Sequence, residues 1–94
     1  MSETTMPEYL TETDEGLKID LAKAVNLDGA DTGTITMREP TVQDQLDVQA
    51  TKGSEAHREV MLMANLCSLT PDQVKAMTMR NYRRLQAALE VFTE

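Results

Sequence analysis

Apolar and polar positions alternate from Leu17 onward: Leu17, Ile19, Leu21, Val25 and Leu27 share one parity, and only Lys23 breaks the series. Lys18, Asp20 and Asn26 take the other parity, as a half-buried strand requires. Asp28-Gly29 supplies turn chemistry and Gly33 a second permissive point. Ile35 and Met37 then alternate with Thr34, Thr36 and Arg38, which predicts a second strand and, with the first, a hairpin over about 17–39. A lone hairpin is marginal in water, so other elements must cover its apolar face.

Beyond Pro40 the period changes from two to 3.6. Pro40 lacks an N–H for a ladder and holds Glu39 extended. Thr41, with Asp44 three residues on, resembles a capping arrangement and opens a helix over about 41–52. In it Val42, Leu46 and Ala50 share one face, Asp44, Asp47 and Lys52 lie off that stripe, and Lys52-Gly53 reads as a left-handed helix end. Ser54 caps a second helix, about 55–67, whose stripe is Ala56, Val60, Met63, Ala64 and Cys67, widened by Leu62 and Leu66. Thr70-Pro71-Asp72-Gln73 combines a cap, a proline at the first helical position and a capping box, opening a short helix over about 71–77. Thr78 caps a last helix, about 79–92, with Tyr82, Leu85, Leu89 and Phe92 in a narrow seam.

Charge modifies this picture at one end. The 94 residues carry a net charge of −7. Glu3, Glu8, Glu12, Asp14 and Glu15 lie in the first fifteen residues with no Lys or Arg among them. Residues 1–16 therefore read as a solvated, disordered acidic tail, and 17–94 as a single domain. The fold class expected is α+β: a short N-terminal β-hairpin followed by a three- to four-helix bundle. Leu, Ile, Val and Phe are 19 of the 94 residues, close to the lower limit for a folded chain. Cores of this size often lean on a partner or on self-association.

Candidate chemistry is sparse. The longest apolar run, Val60 to Ala64, is five residues, against roughly 20 for a membrane span. No secretory signal is expected, and the single Cys67 fits a reducing cytoplasm. His57 and Cys67 fall about 15 Å apart along one helix, too far for a nucleophile pair, and a metal site needs more ligands. The glycines at 16, 29, 33 and 53 match no phosphate-binding loop. No enzyme, cofactor or metal is expected. Arg80, Arg83 and Arg84 form the basic cluster, read first as a solvated face, next as a carboxylate-recognising surface, and least as a DNA contact. Val60 to Ala64 holds more apolar residues than one face can bury, which leaves Met61 or Met63 for an exposed patch. Flexible thioethers suit surfaces that hold varied apolar clients.

Ile19-Asp20-Leu21-Ala22-Lys23 with Asp28-Gly29, then Ile35-Thr36-Met37-Arg38-Glu39-Pro40-Thr41, resembles the start of the Mu-like tail assembly chaperones of long-tailed phages. Leu66-Cys67-Ser68-Leu69-Thr70-Pro71-Asp72-Gln73-Val74 and Asn81-Tyr82-Arg83-Arg84-Leu85-Gln86 resemble that family's closing helices, so the likeness covers about residues 18–92. The chain departs from the pattern at Ala24, where Pro is frequent, at Cys67-Ser68, where Thr-Gly is frequent, and in its longer acidic head. The resemblance implies a non-enzymatic chaperone that holds the tape-measure protein soluble in the host cytoplasm. It also implies help in assembling tail-tube subunits, and absence from the mature virion. The client is expected against the Met61–Met63 helix and the Tyr82–Phe92 helix, with Arg83 and Arg84 at the rim, making Met61, Met63, Tyr82, Arg83, Arg84, Leu89 and Phe92 the candidate partner-binding residues. The partners are then the tape-measure protein, with the tail-tube protein and further copies of the chain as additional candidates, and no membrane. Two other classes fit the residues: a small helical regulator binding nucleic acid through its C-terminal helices, and a minor structural component of the tail.

Overall fold

A computed structural model describes residues 6–93. Among them are strands β1 (Leu10–Thr13), β2 (Gly16–Leu27) and β3 (Ala30–Met37), then helices α1 (Val42–Ala50), α2 (Glu55–Cys67), α3 (Pro71–Lys75) and α4 (Met79–Thr93). The architecture is α+β as expected, with four helices, but the sheet is a three-stranded antiparallel meander in the order β1-β2-β3 rather than a two-stranded hairpin.

The extra strand comes from the stretch expected to be a disordered tail. Leu10 pairs with Ile19 and is buried. Its neighbours Thr11 and Thr13 suit a pleated, half-exposed strand. Composition averages this stretch as acidic, whereas its alternation lets one leucine enter the core while the acids stay in water. The tail expectation for residues 1–5 lies outside the described residues. Gly16, after the Asp14-Glu15 turn, has φ +138°. A Cβ there would collide with the Met37 carbonyl oxygen, so the β1–β2 turn closes against β3 only with glycine.

β2 and β3 are joined by Asp28-Gly29 alone. Both residues have positive φ, the two-residue turn whose twist matches that of the strands. Ala30 to Gly33, read as connection, belong to β3. The ladder is regular from Leu17↔Met37 to Asp20↔Thr34 and resumes at Val25↔Thr32. Leu21, Ala22, Lys23 and Ala24 thus stand against Gly33 alone, and β2 bulges there. Lys23, the residue that breaks the alternation, lies in this bulge.

The inner sheet face presents Leu10, Leu17, Ile19, Ile35 and Met37. Met63, Ala64, Leu66 and Cys67 of α2, Val74 of α3, and Leu85 and Ala88 of α4 complete the core. The outer face carries Thr11, Lys18, Thr34 and Thr36, all exposed. α2 has the boundaries its stripe predicts. α4 presents Asn81, Leu85 and Ala88 inward, a seam turned from the expected Tyr82–Leu85–Leu89–Phe92 line, whose flanking members are half-buried.

α1 is oriented unlike an ordinary amphipathic helix. An apolar stripe at its spacing ordinarily faces a core. Here Val42 and Leu46 are 78% and 53% exposed while Asp44 is 5% exposed. The helix also stops at Thr51, an extended cap, so Gly53 (φ +124°) sits in the connector rather than in the cap.

α2 ends on Ser68 in the left-handed conformation (φ 57°, ψ 42°), a geometry that costs a residue with a Cβ about 1–2 kcal/mol. Ser68→Gly relieves that strain but gives up about 0.4–1 kcal/mol of unfolded-state restriction. The variant is expected to be more stable by about 0.5–1 kcal/mol, read as a raised urea midpoint with unchanged slope. A midpoint that falls would show that the left-handed residue is not strained.

Candidate functional site

The described residues offer little for covalent chemistry. Cys67 is buried, and desolvation pushes its thiol up to about 12, so it remains a protonated core side chain. No group of His, Cys, Asp and Glu among the described residues is placed to hold a metal ion. No helix among them is long and apolar enough to cross a membrane.

The candidate partner-binding residues separate in space. Met63 is 0% exposed within the core, so it does not present its thioether to a partner; of the methionine pair, Met61 is the half-exposed one. Met61 lines a cleft of about 170 Å³ between α1 and α2, with Val48, Leu62 and Asn65. Tyr82 lines a different one, with Val60, Val74 and Met77. Its hydroxyl donates to Glu59 Oε1 at 2.6 Å, and burial together with that carboxylate raises its pKa. Phe92 lies beside the Asp14-Glu15 turn, near Glu12 and Glu39, and Leu89 is half-buried against the core. Arg83 is exposed. Arg84 is not a free rim cation: its guanidinium lies 4.4 Å from the centroid of the Tyr9 ring and Nη1 donates to the Asp20 carbonyl at 2.8 Å. It clamps the segment before β1 onto α4.

The outward stripe of α1 follows from Asp44. Arg38, the last residue before Glu39-Pro40, donates from Nη1 to Asp44 Oδ2 at 2.8 Å and from Nη2 to Oδ1 at 2.9 Å. The Thr41 amide donates to Oδ2 at 2.8 Å, its hydroxyl at 3.1 Å, and Asn65 Nδ2 donates to Oδ1 at 3.2 Å. The Arg38 fork, then the Thr41 amide, hold the carboxyl well below the usual range. A carboxylate with these partners is satisfied only where Arg38 and Asn65 meet, so α1 docks by its Asp44 side. Leu46 stands about 160° around the helix from Asp44, and the stripe of Val42, Leu46 and Ala50 is left facing water.

A second polar device sits in the β2 bulge. Asn81 is 0% exposed. Its Oδ1 accepts from the Lys23 amide at 3.1 Å and its Nδ2 donates to the Lys23 carbonyl at 2.8 Å. The side chain replaces the strand partner that the bulge forfeits. In the sequence Asn81 stands out only within a resembling run, and the shared face of Val42 and Leu46 carries no direction. The signal for the bulge was present in Lys23, the one break in the alternation. Nothing local marks Asp44 as buried, because its capping role is equally compatible with water.

The comparisons bear on the whole of this framework. The family described as "Phage tail assembly chaperone proteins, E, or 41 or 14" matches residues 18–94. That span runs from β2 through the end of the chain and includes Arg38, Asp44 and Asn81. No curated protein and no solved structure matches the chain. By this match over most of its length, the chain belongs to the phage tail assembly chaperone family.

Proposed function

We propose that this chain is a non-enzymatic holdase for the tape-measure protein, keeping it soluble in the host cytoplasm and assisting tail-tube assembly around it, without entering the mature virion. The observation that carries the reading is the outward apolar stripe of α1. Val42 and Leu46 are turned to solvent on a helix whose opposite side is held by Asp44. A soluble domain gains nothing in its own stability from that orientation, whereas an amphipathic client helix can cover it. Covering each side chain contributes about 1.5–3 kcal/mol.

Co-expression with the tape-measure protein of the same phage tests this. Soluble recovery of a pair, where the tape measure alone aggregates, is the expected result. Val42→Asp with Leu46→Asp should leave the fold intact, since neither side chain is buried, and reduce the co-purified client by about tenfold or more. Equal recovery with the double variant would remove α1 from the interface. A tape measure that stays insoluble beside the full-length chain would overturn the reading itself.

A further inference from the structure

We propose that the depression at the start of α4 is a docking site for an acidic peptide segment of a partner protein. Its carboxylates would engage Lys23, Arg80 and Arg83 around an apolar side chain seated on Met79. The depression has a volume of about 460 Å³ and is lined by Lys23, Thr78, Met79, Arg80 and Arg83. Three cations and no carboxylate line it, in a chain of net charge −7. The Arg38–Asp44 pair is the one ion pair among the described residues, so none of the three cations is neutralised there. Met79, which lines the depression with them, is 58% exposed.

The grouping is built by the fold. Lys23 and Arg80 are far apart in sequence. The bulge carries Lys23 out of the ladder, and buried Asn81 grips its backbone through both amide atoms. Arg80 and Arg83, i and i+3 on α4, are neighbours on its surface. The clamp that repairs the bulge therefore also places a strand cation beside two helix cations. Arg84, one residue on, is engaged by Tyr9 and Asp20 and stands outside the set.

Charge complementarity selects the occupant. Arg forks match carboxylates, and two or three such contacts around one apolar residue suit a short peptide. A nucleic acid would need a longer series of phosphate contacts and would extend over the acidic remainder of the surface.

The test is fluorescence anisotropy of the full chain with a labelled peptide of sequence Glu-Glu-Leu-Glu-Glu-Leu-Glu-Glu. Saturable binding that weakens with salt is expected, and Arg80→Glu with Arg83→Glu should weaken it by about tenfold or more. Lys23→Glu should weaken it as well, and it decides the matter should the double variant fail to fold. The same peptide with Gln for Glu should not bind. Absent binding, equal binding of the Gln peptide, or undiminished binding to the variants would each overturn the proposal. A duplex oligonucleotide that outcompetes the peptide at physiological salt would reassign the site to nucleic acid. The proposal stands apart from the tape-measure reading: Val42→Asp with Leu46→Asp should leave peptide binding unchanged.

Discussion

Replacing Asn81 with leucine is expected to lower the unfolding free energy by about 3 kcal/mol. Leucine has the branched skeleton of asparagine with bulkier methyl ends, so no void is left and the loss comes mainly from polar bonding. Asn81 is fully enclosed and spends its amide on the Lys23 backbone, accepting at 3.1 Å and donating at 2.8 Å. Without it, the Lys23 N–H and carbonyl face an apolar side chain where the sheet has no partner to offer. Each orphaned group costs about 1–3 kcal/mol, with water recovering part of that at the bulge. A chain of this length is stable by about 5–14 kcal/mol, and the change corresponds to a fall in melting temperature of about 12–24 °C. Urea denaturation measures the first quantity. Hydrogen exchange at the Lys23 amide identifies the cause, because its protection should vanish in the variant. Full protection of that amide in a destabilised variant would mean that the bulge is held by other contacts.

Asp44→Asn is expected to cost about 2–3 kcal/mol at neutral pH. An amide nitrogen would then oppose the Arg38 fork or the Thr41 amide, donor against donor. The Arg38 side chain is 42% exposed and rehydrates when the fork is lost, which limits the cost. The same carboxylate makes stability depend on acid. Its folded-state pKa is lowered, first by the Arg38 hydrogen bonds and then by the Thr41 amide. Its contribution is therefore complete above the unfolded-state value of about 4. It is lost as the pH falls from there toward the lowered folded value, because the unfolded chain binds the proton first. The wild-type advantage over Asp44→Asn should be constant from about pH 7 to about pH 5 and shrink below about pH 4. Urea midpoints of both proteins across that range check it. An advantage that persists undiminished into acid would show that the charge is not its source.

Much of the local structure was legible in the residues. The parity of Leu17 and Ile19, the Asp28-Gly29 turn and the limits of α2 each arise from neighbours within a few positions. So do the capping boxes of Thr41 with Asp44 and Thr70 with Gln73, both present in the fold. The surface was less legible. Met61 and Met63 are two residues apart in one apolar run, and only packing on the sheet determines that Met63 is enclosed. Arg83 and Arg84 are adjacent and chemically identical, yet one is exposed and the other is held by Tyr9, which lies 75 positions earlier in the chain.

By itself the sequence determined the Asp28-Gly29 turn, the caps that open α1, α2 and α3 and which residues share a face, because hydrogen-bond periods and caps act over one or two turns. Only the tertiary structure decided which way each face points. Arg38 and Asn65 come together to satisfy Asp44, and that satisfaction turns the apolar stripe of α1 outward. Asn81 meets Lys23 across 58 positions, and that pairing closes a bulge no local rule could place. In both cases a buried polar group must find its partner, and the partner is brought within reach only when the chain has folded.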